Sequence, residues 1–356
     1  MKSLEELQLT TTDLAAVLPK VIIDRVETAA RAVRYGRNVC RLNRDLVGKP
    51  GRSIYIPVRG AITAAKVSEG ATPSISKAAY STVQVTPFKL GIGVKITQEA
   101  IDGSEMDVIR DHLDEAGEGI ADAEDKEIIY ELLGRNVVTD ETHASTQNTG
   151  NEVFTMDHKP ILKVVAVDTG AGSMTVSAVD YYDGKIKVTD AVDTGTDIYF
   201  DYEYSSRTAY VDASTAGQVA EVDLRASRNK IRVAKFKPDR FWVYEDEADD
   251  ILGIERFTEP AKYGPEAAPL MTGEIGRIFG CTVLASQNFY PGIVACFDSS
   301  RAMYLVMKRD LDLKRKDAPD TDSIELYFYM ELAPKCIQDT AVALVVNCAS
   351  DANKGL

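Results

Sequence analysis

The sequence has few of the residues that most enzymes use for catalysis. Its 356 residues include three histidines, one tryptophan and five cysteines. The histidines are scattered, and no two cysteines stand in the CxxC spacing of a zinc or thiol-redox site. No complete P-loop, dinucleotide-binding, zinc-protease or serine-hydrolase motif occurs. We therefore expect a protein that is not an enzyme, holds no cofactor and no metal ion, and keeps its thiols free.

Long hydrophobic runs are also missing. The longest apolar stretches have the length of a strand, whereas a membrane-spanning helix needs about 20 apolar residues. The N-terminus reads MKSLEE, with glutamates where a signal peptide needs a basic start and an apolar core. We expect no membrane association and a protein that is made and kept in a cytoplasm.

Charge is present in quantity, and it is sorted along the chain. The formal net charge of −14 argues against a dedicated nucleic-acid binder. Residues 31–59 nevertheless carry a net +7. The pattern predicts a helix over 21–46, in which arginines spaced by three and four would share one face. A second predicted helix, at 105–133, has one narrow apolar stripe and a net charge of −9.

Between these two blocks the sequence predicts a long flap. Residues 54–59 alternate as a strand, residues 60–79 are rich in small residues, and a return strand begins near Tyr80. The phase of the alternation flips at Pro87, which indicates a bulge or a change of buried face. A two-stranded ribbon is marginal alone in water, and the chain offers no adjacent partner for its full length. We expect the flap to lie on another subunit.

Residues 139–212 have a different character. Four short strand patterns are separated by glycine-containing turns, and the segment carries a net −8. This pattern predicts a small all-β module inserted into another fold. A solvated acidic face is favoured over a calcium site at Asp190, Asp193, Asp197 and Asp201, because EF-hand spacing is missing. Six tyrosines in the segment suit either an exterior contact surface or a small β core.

The order of these elements resembles the major capsid proteins of tailed double-stranded DNA viruses, which have the Hong Kong 97-type fold. LPKVI at 18–22 and GRSIYIP at 51–57 look like the N-terminal arm and the start of the extended E-loop of that family. VSEG at 67–70 looks like the loop tip, and residues 88–99 look like the strand that leads into the spine helix. FWVY at 241–244 and GCTVL at 280–284 look like axial-domain strands.

The resemblance implies an α+β fold with an N-arm, an extended E-loop, a long spine helix, and peripheral and axial domains, to which a small all-β domain is added. The implied divisions are an N-terminal arm at 1–50, an E-loop flap at 51–98, a peripheral domain with the spine helix at 99–138, an inserted β domain at 139–212, an axial domain with peripheral-domain strands at 213–348, and a C-terminal tail at 349–356.

The resemblance also implies a function. Such a protein self-assembles as pentamers and hexamers into an icosahedral shell that encloses packaged double-stranded DNA in a virion, after assembly in the host cytoplasm. Its implied partners are copies of itself, the genome without sequence specificity, a portal and a decoration protein on the insert. Few residues precede the arm, so a separate scaffolding protein is expected. An encapsulin-like compartment shell that holds cargo enzymes is the alternative, and a β-rich enzyme or surface-binding protein is a third hypothesis.

Charged residues of the arm, flap and spine helix are the candidate contacts between subunits. The basic segment could pair with a neighbour's acidic helix, contact the genome or be plain surface, and we favour the first. The candidates are Arg31, Arg34, Arg37, Arg41, Arg44, Arg59, Lys66, Glu69, Asp111, Asp114, Glu118 and Asp122. An isopeptide cross-link from Lys66 or Lys77 would need a matched asparagine and carboxylate on other subunits, and we do not expect one.

Overall fold

The chain folds into two compact units, each built from segments that are distant in sequence. The computed structural model describes residues 26, 35–60, 66–69, 72, 77, 79–97, 99, 108–146, 148–254, 276–318, 320–353 and 356. The first unit combines Leu42–Ala121 with Tyr304–Ile337. The second combines Arg34–Arg41, Asp122–Met303 and Gln338–Leu356. Among the described residues, no helix has the length and apolar character that crossing a membrane requires.

The described helices and strands give a mixed α and β structure. The helices are α1 (Val108–Leu133), α2 (Glu221–Val233) and α3 (Glu245–Leu252). The strands before α2 are β1 (Arg41–Asn43), β2 (Ile54–Arg59), β3 (Tyr80–Val85), β4 (Phe88–Thr97), β5 (Arg135–Ala144), β6 (Glu152–Thr155), β7 (Ile161–Asp168), β8 (Val176–Asp180), β9 (Lys185–Val188), β10 (Asp197–Ser205) and β11 (Tyr210–Asp212). Those after it are β12 (Arg240–Val243), β13 (Arg277–Ile278), β14 (Cys281–Ala285), β15 (Val294–Phe297), β16 (Met303–Ala318), β17 (Ser323–Cys336) and β18 (Val342–Val346).

A four-stranded sheet in the order β1-β16-β17-β4 forms the body of the first unit. The burial of successive residues alternates along β17, as expected for a strand with one face in the core. Leu326, Phe328 and Met330 are buried, and the residues between them are half-buried. The N-terminal half of α1 packs on this sheet where Gly119 approaches Ile92. Strand β16 continues through the charged run 308–316, which the sequence pattern had predicted only as a bridge after a short strand.

The flap is shorter than predicted, because its return strand is divided between two sheets. Strand β3 pairs with β2 from Ile54↔Val85 to Arg59↔Tyr80. Strand β4 instead pairs with β17 over ten register positions. The division falls at Pro87, which has no N–H to donate to a ladder and where the alternation changes phase. The prediction that the flap has no partner in its own chain along its full length is therefore wrong for β4.

The predicted arm helix is wrong for residues 36–46; residues 1–25 and 27–34 lie outside the described part of the chain. Residues Gly36–Asn38 form a single 3₁₀ turn, and β1 then pairs with β16. Asp125 of α1 accepts hydrogen bonds from the backbone N–H groups of Tyr35 and Gly36, both at 2.9 Å. Gly36 is also so close to Ile128 that a Cβ would lie 2.6 Å from its Cδ1 atom. Arg37, Arg41 and Arg44 consequently do not share a helix face.

The spine helix was predicted well, but its buried surface is wider than the predicted stripe. Towards its C-terminus α1 buries Glu124 and Asp125 as well as four aliphatic residues, Ile128, Ile129, Leu132 and Leu133. Gly134, with φ of 62°, ends the helix in the left-handed conformation expected there.

Arg207 caps the C-terminal end of α1. Its Nε donates a hydrogen bond to the carbonyl of Leu132 at 3.0 Å, and its terminal nitrogens reach the carbonyl of Glu131 and the carboxylate of Asp339. Ser205 Oγ donates to the carbonyl of Leu133 at 2.5 Å. Carbonyl groups that a helix end leaves without partners are thus satisfied by side chains from a later segment.

A six-stranded sheet in the order β11-β18-β15-β12-β14-β13 is central to the second unit. All five residues of β18 are buried, as a strand covered on both faces requires. Helices α2 and α3 contribute to the same core cluster on this sheet through Leu224, Ile231, Ala248 and Ile251. Both helices therefore cover the same face of the sheet.

The acidic segment contains two three-stranded antiparallel sheets, β5-β10-β7 and β6-β9-β8. The four predicted strands are present, whereas β5 and β6 escaped prediction. Tyr202 is completely buried, Tyr181 is nearly so, and none of the six tyrosines is exposed. The structure supports the core role for Tyr181 and Tyr202, and the other four tyrosines are half-buried. Asp190 and Asp201 accept hydrogen bonds from the backbone N–H groups of Thr175 and Asp140.

Replacing Arg207 with Met should lower the free energy of unfolding by about 3 kcal/mol, because Asp339 and two helix carbonyls lose their buried donor. Urea unfolding followed by circular dichroism measures this loss. Arg301→Met, at an exposed position, serves as the control and should stay within about 0.5 kcal/mol of the wild type. Equal stability of the Arg207 and Arg301 variants would contradict the capping role.

Acid should destabilise the second unit through Glu203. Burial would raise the pKa of Glu203, but hydrogen bonds from Arg135 and Tyr290 outweigh burial and hold the pKa below its ordinary value. The stabilisation is therefore complete above about pH 4.3 and is lost as the pH falls through the folded-state pKa. We expect Glu203→Gln to be less stable than the wild type at pH 7, with the difference shrinking in urea titrations below pH 4. A difference that does not depend on pH would rule out this linkage.

Candidate assembly surfaces

The β2–β3 ribbon presents an exposed tyrosine face. Its register places Tyr55, Pro57 and Tyr80 on one side and Ile56 and Val85 on the other. Ile56 and Val85 are buried, in a cluster with residues 46, 306 and 333 of the same unit. Tyr55 and Tyr80 are 61% and 68% exposed. One face of the ribbon is thus covered within the chain, while the other offers two large side chains to a partner.

The loop between β2 and β3 carries the predicted contacts Lys66 and Glu69. Both are exposed, as are Val67 and Lys77. Arg59 stands at the last position of β2, opposite Tyr80. These positions keep Lys66 and Glu69 as candidates for contact with another subunit.

The outward face of the β4–β17 pair is aromatic and carries both lysines and glutamates. Tyr327 and Tyr329 stack with their ring planes 4° apart and lie against Gly93 and Gly91 across the strand pair. Lys89 Nζ lies 3.5 Å from the ring centroid of Tyr329. These residues line a shallow groove of about 310 Å³. A cation over an aromatic face is a favourable contact that remains accessible to a further partner.

Among the described residues, Arg37 and Arg44 of the arm form ion pairs within their own chain. Arg37 Nε lies 2.5 Å from Glu124 Oε1 of α1. Arg44 pairs with Asp310 of β16 at 3.5 Å, with both side chains largely exposed. Arg41 is exposed, and Arg31 and Arg34 lie outside the described residues. The basic segment and the acidic helix thus meet inside one subunit at Arg37, rather than only between subunits.

The four carboxylates predicted on the spine helix differ in their surroundings. Asp111 and Glu118 are exposed, and Asp114 is half-buried. Asp122 accepts a hydrogen bond from Asn288 Nδ2 at 2.8 Å. Asp122 is therefore engaged inside the second unit, and Asp111 and Glu118 are the carboxylates most accessible to a neighbour.

Helix α2 carries an arginine face that the sequence analysis did not single out. Arg225, Arg228 and Arg232 line a groove of about 540 Å³ together with Phe279. Their spacing of three and four is the same signal that was assigned to the arm. It marks a shared face only where the backbone is helical, as it is in α2.

Helix α3 presents the opposite charge. Glu245, Asp246 and Asp249 are exposed, Asp250 is half-buried, and the buried stripe of the helix contains Glu247. Acidic residues in the first turn also suit the positive end of the helix dipole. The second unit thus displays one basic and one acidic helix surface. Among the residues that the structure describes, no group of His, Cys, Asp and Glu is arranged to hold a metal ion.

Comparison with known structures identifies the class of this fold. The chain is similar to the structure titled "Mycobacterium phage Che8", with a TM-score of 0.54 and 14% identity over 89% of this chain and 92% of that chain. It is similar to the capsid of Cyanophage P-SCSP1u, with a TM-score of 0.55 and 10% identity over 88% of both chains. The capsid of a native GTA particle gives a TM-score of 0.52 and 15% identity over 88% of this chain and 91% of that chain. A search of curated proteins found no match.

The family model described as "Phage capsid protein" matches residues 80–340, which is most of the chain. The chain therefore belongs to the phage capsid protein family, and it is a structural shell protein of a virion rather than an enzyme. This confirms the resemblance to capsid proteins and the predicted α+β capsid fold.

Asp125 should control the order of the chain around residues 35–37. Replacing Asp125 with Ala removes the acceptor of two backbone N–H groups, so the amides of Tyr35 and Gly36 should exchange with deuterium about tenfold faster. Hydrogen exchange followed by mass spectrometry measures this change. The exposed Asp111→Ala variant is the control, and unchanged exchange in Asp125→Ala would contradict the anchoring role.

Proposed function

We propose that this protein is a major capsid protein that assembles as pentamers and hexamers into an icosahedral shell around packaged double-stranded DNA. The match of the phage capsid model over residues 80–340 carries this proposal. The protein is then a component of the virion, and its subunits assemble in the host cytoplasm.

In this proposal the β2–β3 ribbon with its loop is the E-loop, and it lies over a neighbouring subunit. The support is the ribbon's unequal faces: one is buried at Ile56 and Val85, and the other exposes Tyr55 and Tyr80. Tyrosine is enriched at protein interfaces because it combines a large apolar area with one polar atom. Helix α1 is the spine helix, and the sheet that contains β18 forms the axial domain.

The two three-stranded sheets at 135–205 are, in the same proposal, a β domain inserted into the capsid fold. Their strands form ladders with one another, apart from a bridge between Val179 and Ala352, and residues 139–212 carry a net charge of −8. The acidic exterior of this domain is the proposed site for a decoration protein. A separate scaffolding protein and a portal complete the assembly pathway, and the packaged DNA contacts the shell without sequence readout.

Charged residues of the arm, loop and spine helix serve as contacts between copies. The exposed candidates are Arg41, Lys66, Glu69, Asp111 and Glu118, while Arg37 and Asp122 contribute inside the subunit. Exposed ion pairs each contribute little free energy, so their expected effect is on register and specificity of assembly.

Electron microscopy of the purified protein, with nuclease-protected contents analysed in parallel, tests the proposal. We expect closed icosahedral particles, with DNA inside those isolated from infected or induced cells. Particles that hold protein cargo would instead support an encapsulin-like compartment. A protein that remains a small oligomer under all conditions, including with its scaffolding partner, would refute the shell function.

The ribbon's tyrosine face gives a sharper prediction. The double variant Tyr55→Ser/Tyr80→Ser should fold normally, since both side chains are exposed, but its yield of particles should fall at least about tenfold. Sedimentation of expressed protein gives the particle yield, and circular dichroism reports the fold. Val165→Ser, an exposed apolar strand residue elsewhere, is the matched control. Normal particle yield from the tyrosine variant would show that this face is not buried in the shell.

A further inference from the structure

We propose that the arginine face of α2 docks onto the acidic face of α3 in a second copy of the chain. The arginine face consists of Val222, Arg225, Ala226, Arg228, Asn229, Arg232 and Val233. The acidic face consists of the exposed residues Glu245, Asp246 and Asp249. This inference rests on the proposed shell function, and it names one pair of surfaces through which the copies recognise each other.

The arginine face has the composition of a protein interface. Val222 and Val233, near the two ends of the helix, are 63% and 74% exposed. Together with Ala226 and Asn229 they follow a spacing of four, three and four, which forms one apolar and small stripe along the exposed side of the helix. Arginines flank this stripe. Exposed valines are not needed for contact with a phosphate backbone, whereas arginine beside apolar side chains is typical of protein interfaces.

The charges of this face are poorly satisfied within the chain. Within the described ranges Arg225 pairs with Glu221 on its own helix, at 3.7 Å and with its side chain largely exposed. Among the described residues, Arg228 Nε is buried without a hydrogen-bond acceptor. Arg232 is exposed and has no ion-pair partner in the part of the chain that the structure describes. The exposed guanidinium groups of Arg225 and Arg232 are therefore available to carboxylates from outside the subunit, whereas the buried Nε of Arg228 is not.

The acidic face is the complementary surface. Asp246 and Asp249 are exposed and have no cationic partner among the described residues, and Glu245 accepts only an amide hydrogen bond from Gln287 at 3.2 Å. The carboxylates extend along about 6 Å of helix and the arginines along about 10 Å, which are compatible lengths. Three exposed acidic side chains thus lie within reach of the two exposed guanidinium groups when the two helices are brought together.

The position of the helices favours another copy as the partner. Leu224 and Ile231 of α2 and Ala248 and Ile251 of α3 pack into one core cluster, so both helices cover the same face of the six-stranded sheet. Their charged faces both point away from that sheet, and among the described residues no ion pair joins the two faces. The same chain therefore carries both halves of a complementary contact, as a self-assembling protein requires.

Charge reversal with rescue tests this contact. Arg225→Glu/Arg232→Glu and Asp246→Lys/Asp249→Lys should each raise the protein concentration needed for assembly by roughly tenfold or more. The chain that carries all four substitutions should assemble nearly as the wild type does. Sedimentation velocity and light scattering across a concentration series measure assembly, and circular dichroism confirms that each variant folds.

The control combines the arginine reversal with Asp193→Lys/Asp197→Lys in the acidic segment at 139–212, which adds the same charge at a different exposed acidic surface. Rescue by this control, or failure of the fourfold variant to recover while it remains folded, would overturn the inference. Normal assembly of Arg225→Glu/Arg232→Glu with loss only of enclosed nucleic acid would also overturn it and assign the face to the genome. A wild-type chain that never assembles would refute the shell function itself.

Discussion

Two adjacent carboxylates buried in the long helix constrain much of the second unit. Glu124 and Asp125 are fully buried, and a buried charge is destabilising by several kcal/mol unless it is paired and hydrogen-bonded. The segment at 35–37 supplies those partners through two backbone N–H groups and one guanidinium group. It must therefore leave any helical path at this point and lie against α1. The same helix ends where Arg207 reaches back to its last carbonyls, so both sides of its buried half are held by segments far away in sequence.

Features that depend on neighbouring residues could be predicted from the sequence. The strands around Ile56, Val94 and Phe200 follow the period of two, and the long helix ends at the expected glycine. The prediction of an arm helix was wrong because the conformation of this segment depends on Asp125. That residue stands about 90 positions away, so the local sequence pattern does not reveal the contact. The strand conformation of the charged half of β16 was not predicted for a related reason, since it depends on pairing with β17. The arginine spacing was a sound signal that was assigned to a segment whose backbone is not helical.

Contacts between segments that are distant in sequence decide which charged residues remain available to another subunit. Residues that have partners inside the chain, such as Arg37 and Asp122, look identical in the sequence to exposed residues such as Asp111 and Glu118. Only the fold separates them, because it shows which charges are already neutralised. What remains exposed is sorted by type: tyrosines on the ribbon, arginines with valines on α2, and carboxylates on α3. A protein that binds copies of itself must carry both members of every such pair.

The order of segments along the chain has a consequence for biosynthesis. Strand β4 finds its partner β17 only after more than two hundred further residues, and β18, between β11 and β15 in the second unit's sheet, is close to the C-terminus. The sheets of both units close only after β17 and β18 have been made, and such long-range pairing is slow. A chain that stops before these strands lacks the closed sheet under α2 and α3 and the partner of β4 at the same time. In the proposed shell, the surfaces that recognise other copies are therefore complete only once β17 and β18 have paired.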